Sequence, residues 1–119
     1  MIPFNQRVLC IGFGSVGKCT LPVLLKHIRI PYKNITVLDF EDKRKELAPW
    51  IKKGVRFAQE RITPVNVTRT LSKYVSRGGM IIDLTWNIDS LDMISWCHEN
   101  EVLYANTSVE EWDPYANID

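Results

Sequence analysis

The stretch RVLCIGFGSVGKCTLPVLL, residues 7–25, joins a short run of branched apolar residues to a longer apolar segment through three glycines. The first run is typical of a buried strand, and the second has the spacing of a helix. Ordering a glycine costs more backbone entropy than ordering any other residue. Gly12, Gly14 and Gly17 therefore need a reason for lying where a strand passes into a helix.

Further along the chain, short strand-like runs alternate with segments of helical spacing. The predicted strands are 7–11, 35–39, 55–58, 80–84 and 102–106. Repeated strand–helix alternation favours a parallel sheet whose strands are connected by crossover helices. The sequence therefore predicts an α/β fold, a Rossmann-type doubly wound parallel sheet of about five strands with the order 3-2-1-4-5.

Two features of the predicted helices can be checked directly. Pro22 and Pro49 fall inside helical segments, where the missing N–H should kink or end the helix. In the last helix, Leu91, Ile94 and Cys97 have the spacing of a single apolar face.

Composition indicates one globular domain, because 45% of the 119 residues are hydrophobic and 24% are charged. Lys and Arg total 15 against 14 Asp and Glu, a balance that argues against general nucleic-acid or membrane-surface binding. The three cysteines lack metal-ligand spacing, so we expect no metal site and a reduced, cytoplasmic protein. The N-terminus has no signal-peptide pattern, and no stretch reaches membrane-spanning length.

The three glycines form a G-x-G-x-x-G pattern in the context where it has a mechanism, after a strand and before a helix. Gly12 would permit the tight turn, Gly14 would let the backbone approach a pyrophosphate, and Gly17 would let the helix pack closely on the sheet. The N–H groups at the start of the helix would then hold the phosphates. The alternative is a tight turn that binds no ligand.

Asp39 ends the second predicted strand, where a carboxylate can accept hydrogen bonds from the adenosine ribose of a dinucleotide. A carboxylate there repels the additional phosphate of NADP, so we expect NAD to be the cofactor. Lys43 and Arg44 are close enough in sequence to weaken that preference. The alternative for Asp39 is a solvated turn residue before a helix.

Polar residues also follow the fourth and fifth predicted strands. Thr85 and Asn87 could hydrogen-bond the cofactor or the substrate, or could be ordinary loop and cap residues. Glu110 and Glu111 lie beside Trp112, and carboxylates next to an indole suit a cationic amine. The alternative is a solvated acidic turn with a tryptophan that packs against the protein.

The segments IGFGSVGKCTLPVLLKHI (11–28), DLTWNIDS (83–90) and YANTSVEEW (104–112) together resemble the N-terminal part of bacterial homospermidine synthases. That family is related in fold to saccharopine dehydrogenases, and the resemblance runs from about Arg7 to Trp112. It implies a cytoplasmic, homodimeric enzyme that makes homospermidine from putrescine or a related diamine. It also implies a tightly bound NAD that is reduced and then reoxidised within one turnover.

The resemblance also implies roles for individual residues. The cofactor-binding positions would be Gly12, Phe13, Gly14, Ser15, Val16, Gly17, Asp39 and Thr85. The catalytic positions would be Glu110 and Asn87, and the substrate-binding positions Glu110 and Trp112. Some relatives have Asp where this chain has Asn87, and Glu111 stands where relatives often have another residue.

Family members are much longer than this chain, with a large catalytic domain after the segment that resembles it. We therefore expect residues 1–119 to be the NAD-binding domain of a longer enzyme and to be inactive alone. Two other readings stay open at this point. One is another NAD oxidoreductase of the saccharopine dehydrogenase type, and the other is a stand-alone nucleotide-sensing regulatory domain.

Overall fold

Five parallel strands form the centre of the protein in the computed structural model, which describes residues 2–84 and 90–106. The strands are β1 (Val8–Ile11), β2 (Ile35–Asp39), β3 (Arg56–Gln59), β4 (Met80–Asp83) and β5 (Leu103–Asn106). The helices are α1 (Ser15–His27), α2 (Arg44–Lys53), α3 (Val67–Tyr74) and α4 (Ser90–Glu99). Two further strands of two residues each, Ile2–Pro3 and Ile28–Arg29, pair with each other in parallel, and a 3-10 turn spans Tyr32–Asn34.

The strand order is β3-β2-β1-β4-β5, and every neighbouring pair is parallel. Both the Rossmann-type fold and the predicted order 3-2-1-4-5 are therefore confirmed. Strand β1 lies between β2 and β4, so the chain winds outward from it in both directions. Open α/β sheets bind ligands beyond the carboxyl end of the strands at this switch point.

Both faces of the sheet are buried, which explains why the strands are almost continuously apolar. Alternate residues of β1 pack on opposite sides, since side chains of a strand point to the two faces in turn. Leu9 lies in a cluster with Leu71 of α3 and Met93 of α4, whereas Val8 lies in a second cluster with Leu21 of α1. Helices thus cover both faces of the sheet. The carboxyl ends of the strands form the edge where a ligand would bind, which we call the ligand-binding edge.

Neither Pro22 nor Pro49 ends its helix, although the sequence predicted that each would either kink or end it. Helix α1 continues past Pro22 and helix α2 continues past Pro49. Each proline removes one helical hydrogen bond to the carbonyl four residues earlier. Both prolines are exposed, and on that side of a helix water can bond the carbonyl that has lost its donor.

The predicted apolar face of α4 is wrong at Ile94, whose side chain is 45% exposed. The helix instead buries Met93, Trp96 and Cys97, which are also spaced as neighbours on one face. The face that contains Trp96 is buried in place of the face that contains Ile94, because an aromatic side chain buries more apolar area than isoleucine does. Cys97 was predicted correctly, and the side chain of Leu91 lies outside the described residues.

Candidate functional site

The glycine loop joins β1 to α1 at the switch point of the sheet. The Gly12 N–H donates to the Leu38 carbonyl of β2 at 2.7 Å, and the Leu84 N–H donates to the Ile11 carbonyl at 2.9 Å. Gly12 has φ = 94°, in the left-handed region that side chains disfavour. The tight turn that the sequence predicts at Gly12 is therefore present, and it starts between the ends of β2 and β4.

Gly17 lies where a side chain would be crowded. A Cβ atom at this position would lie 3.0 Å from the Gly12 carbonyl oxygen and 3.2 Å from Cδ1 of Phe13. It would also lie 3.4 Å from Cδ1 of Leu84, which directly follows β4. A side chain at Gly17 would therefore push α1 a few tenths of an ångström away from the loop and the sheet, and the close packing favours glycine here.

Gly14 differs from the other two glycines of the motif. Its φ of −84° and ψ of −152° are extended backbone, and among the described residues no atom beyond its chain neighbours comes within 4 Å of a Cβ placed there. The fold therefore has space for a side chain at Gly14. A glycine that the fold does not require fits a position where a ligand must approach the backbone.

The N-terminal end of α1 is suited to an anion. Gly14 is its N-cap, and no side chain among the described residues caps the helix there. The first turn has no acidic residue, so nothing in it opposes a negative ligand. Because the first N–H groups of a helix lack intrahelical partners and lie at the positive end of its dipole, they can hold phosphate oxygens.

Asp39 is buried at the end of β2, with only 7% of the residue exposed. Its Oδ2 accepts the Phe13 N–H of the glycine loop at 2.8 Å, and its Oδ1 accepts the Glu41 N–H at 2.9 Å. The alternative of a solvated turn residue is therefore wrong. Each carboxylate oxygen has two lone pairs, so further acceptor capacity exists for the hydroxyl groups of a ligand.

The two basic residues near Asp39 are both engaged with acids. Arg44 donates to Asp42 from Nε at 2.9 Å and from an Nη at 2.8 Å, and Lys43 lies 3.6 Å from Glu41. The hydrogen bonds from Arg44 lower the pKa of Asp42 to about 2, so the carboxylate is ionised at physiological pH. Because this segment has three acids and its two cations are already in ion pairs, it disfavours binding of the additional phosphate of NADP.

A second group of residues at this edge was missed by the sequence analysis. Phe40, next to Asp39, is 57% exposed, and the Arg61 guanidinium carbon lies 5.3 Å from the centre of its ring. The two residues come from neighbouring strand ends, because the Glu60 N–H donates to the Asp39 carbonyl at 3.0 Å. The signal that could have found Phe40 is an apolar residue directly after the carboxylate. Arg61 carried no such signal.

Glu60 holds the end of β3 against α3. It forms an ion pair with Lys73 at 2.9 Å and accepts a hydrogen bond from the Tyr74 hydroxyl. The Tyr74 hydrogen bond and then the Lys73 contact lower the pKa of Glu60. These partners fix the segment that presents Arg61.

On the other side of β1, a buried carboxylate ends β4. Asp83 is 1% exposed and accepts the Tyr104 hydroxyl of β5 at 2.7 Å. Asp83 and Asn106 are opposite each other in the register of the two strands. The chain therefore leaves β4 and β5 at adjacent points on the ligand-binding edge.

Several predicted site residues lie outside the described residues. They are Thr85, Asn87, Glu110, Glu111 and Trp112, and the side chain of Val16 belongs with them. The described part of the predicted site is the glycine loop with Asp39, which the fold brings together. The roles assigned to the other residues stay predictions.

The chain is similar to proteins of known family along most of its length. The model of the saccharopine dehydrogenase NADP-binding domain matches residues 8–117. Homospermidine synthases from Mesorhizobium japonicum and Blastochloris viridis are each 34% identical to the chain over 108 residues, which is 88% of this chain and 22% of those proteins. The chain thus spans about a fifth of the length of these curated relatives, 22% in each case.

A solved structure agrees with this similarity. The crystal structure of homospermidine synthase from Legionella pneumophila in complex with NAD matches the fold with a TM-score of 0.79. The sequences are 28% identical, and the match covers 88% of this chain and 22% of that one. The resemblance drawn from the three sequence segments is confirmed.

Proposed function

The chain belongs to the saccharopine dehydrogenase NADP-binding domain family, and on that basis we propose that it is the NAD-binding domain of a homospermidine synthase. The observation that supports a dinucleotide site is the difference between Gly14 and the other two glycines of the motif. The positive φ of Gly12 and the close packing at Gly17 favour glycine at those two positions, but the fold leaves open space at Gly14. A bound pyrophosphate would occupy that space.

The described residues fit NAD along the edge of the sheet. The pyrophosphate would lie over Gly14 at the start of α1, and the adenosine ribose would bond Asp39. The adenine would lie near Phe40 and Arg61, whose ring and guanidinium both offer flat surfaces for stacking. Although the family model is named for NADP, the carboxylate of Asp39 and the ion-paired cations beside it favour NAD.

Releasing Arg44 from its partner should raise NADP binding. In the variant Asp42→Asn, the guanidinium loses its bidentate acceptor and becomes available to a 2′-phosphate. We expect the ratio of NADP to NAD affinity to rise about 3- to 10-fold, as one charged hydrogen bond allows. Isothermal titration with both dinucleotides measures this ratio.

The control for this experiment is Glu46→Gln, which removes one negative charge from an exposed position of α2. It should leave the ratio of the two affinities unchanged. With a pKa of about 2, Asp42 stays ionised between pH 7.5 and pH 9, where the 2′-phosphate of NADP is also fully ionised. The wild-type ratio should therefore be constant over that range, and an equal ratio in Asp42→Asn and wild type would contradict the idea that Asp42 keeps Arg44 from the phosphate.

The proposed reaction joins two molecules of putrescine to give homospermidine and ammonia. When bound, NAD would supply a hydride acceptor and, once reduced, a hydride donor. One putrescine loses a hydride from the carbon of its amine and a proton from the nitrogen, which leaves an imine. The amine of a second putrescine adds to that carbon, ammonia leaves, and the new imine takes up the hydride and a proton. No net oxidation or reduction results.

In this proposal, Glu110 binds a substrate ammonium, and the indole of Trp112 contributes a cation–π attraction to the same group. Thr85 would contact the cofactor, and Asn87 would hydrogen-bond the reacting amine. These assignments rest on the match of TSVEEW and DLTWN to the family pattern and on the cationic nature of a diamine. Glu110 and Asn87 are the proposed catalytic residues.

Location and assembly are also proposals. Cys10, Cys19 and Cys97 are all free thiols in the structure, and a reducing, cytoplasmic compartment suits them. No helix in the described ranges is both long and apolar enough to cross a membrane. We propose a homodimer on the family resemblance alone.

The function is tested on the natural-length polypeptide, with the 119-residue chain in parallel. Each is incubated with putrescine and a catalytic trace of NAD, and the products are read by mass spectrometry. We expect homospermidine and ammonia from the natural-length protein with no net NADH, and no turnover from an isolated 119-residue segment. Stoichiometric NADH, or untouched putrescine, would contradict the assignment. NAD binding without turnover of any amine would favour a nucleotide-sensing role.

A further inference from the structure

The side chain and the backbone N–H of Phe13 both hold the glycine loop in place. Its side chain is 2% exposed and belongs to the apolar cluster beneath α1. Its backbone N–H, in the middle of the loop, donates to Oδ2 of Asp39. The residue between the first two glycines is thus held both by packing and by a hydrogen bond to a charged group.

The hydrogen bond from Phe13 differs from the other contacts that shape the loop. Gly12 is held by a backbone bond to Leu38, and its carbonyl is packed against Gly17, so any sequence with these glycines keeps those contacts. The Phe13 N–H bonds a side chain 26 positions away. A buried N–H that loses its acceptor is costly, so the loop shape depends on that carboxylate.

The orientation of the Asp39 carboxylate is also fixed. Its other oxygen accepts the Glu41 N–H, and the residue is almost fully buried. Two backbone donors on two oxygens leave the carboxylate plane little freedom. The Asp39 carboxylate can therefore hold the loop at the end of β1 in a fixed position relative to the end of β2.

We propose that Asp39 is a positioning residue, which holds the glycine loop in its phosphate-binding shape through the Phe13 N–H, in addition to any contact with ribose. This inference rests on the proposed function, because the loop is taken to bind the pyrophosphate of NAD. Asp39 then contributes to the affinity for parts of the cofactor that it never touches.

A binding cycle separates the two roles of Asp39. NAD and its 2′,3′-dideoxyadenosine analogue are titrated against the natural-length wild type and Asp39→Asn. Since the analogue has no adenosine ribose hydroxyls, a role through ribose alone leaves its affinity unchanged in the variant. The positioning role predicts that Asp39→Asn weakens the analogue about 10-fold or more, because the uncharged amide offers one acceptor oxygen to the two backbone N–H groups that the carboxylate binds. An unchanged affinity for the analogue would overturn the inference.

A second measurement needs no variant. Hydrogen exchange of the Phe13 amide is followed in the wild-type protein without cofactor, where the inference predicts strong protection. Exchange as fast as in an exposed loop would overturn it even if Asp39→Asn fails to fold. In a folded Asp39→Asn protein, the Phe13 amide should exchange faster, while in the charge-matched control Glu46→Gln it should exchange as in wild type.

The failure of the inference and the failure of the proposed function are distinguishable. If wild type does not bind NAD, the proposed function fails, and amide protection still decides whether Asp39 holds the loop. If wild type binds NAD and only the NAD affinity of Asp39→Asn falls, with the analogue unaffected, the cofactor proposal stands and the positioning role is lost.

Discussion

Replacing Gly14 by valine is expected to leave the protein folded and to weaken NAD binding about 10- to 100-fold, the value of one or two charge-assisted hydrogen bonds. The described residues leave open space around a Cβ at this position, and the extended backbone there accepts a side chain. The new isopropyl group would occupy the volume in which the pyrophosphate must approach the N–H groups of α1. The free energy of unfolding should change by no more than about 1 kcal/mol.

Two measurements on the same preparations test this separation of binding from stability. Urea denaturation gives the free energy of unfolding, and isothermal titration with NAD gives the affinity. Gly14→Ala should fall between wild type and Gly14→Val in affinity, because its side chain is smaller. If Gly14→Val binds NAD as tightly as wild type, the space above Gly14 does not belong to the cofactor.

The strand order was taken from the Rossmann-type topology, whereas periodicity and glycine spacing were sufficient to predict the strands, the helices and the loop. These features depend on local patterns: strand-like runs, helical spacing and a G-x-G-x-x-G at the first strand–helix junction. The same motif assigns a separate role to each of the three glycines. The structure adds the contacts behind two of these roles, since Gly17 lies against the Gly12 carbonyl and Gly14 faces open space.

Contacts between distant residues account for most of what the sequence could not supply. The hydrogen bond from Phe13 to Asp39 and the contact of Phe40 with Arg61 join different strand ends. No local pattern encodes such pairs, because strand order and register decide which residues meet. The error at Ile94 has another origin, since two overlapping apolar stripes on α4 competed and the one with the indole was buried.

Gly17→Val is the opposite of Gly14→Val, since it should destabilise the fold before any ligand is considered. Its Cβ would meet the Gly12 carbonyl oxygen at 3.0 Å, a backbone atom that a side-chain rotation cannot move away. Overpacking of this kind costs about 1–3 kcal/mol, only slightly offset by the better helix propensity of valine. We expect the urea midpoint to fall accordingly.

Binding should fall in Gly17→Val as well, but for a different reason. To relieve the contact, α1 must move away from Gly12, and the Phe13 N–H then moves relative to the Asp39 carboxylate. Lys26→Val, at an exposed position of the same helix, controls for the cost of a branched side chain in α1. The two glycine variants together assign one position to the fold and the other to the ligand. A Gly17→Val protein as stable as Lys26→Val would contradict the close packing on which that assignment depends.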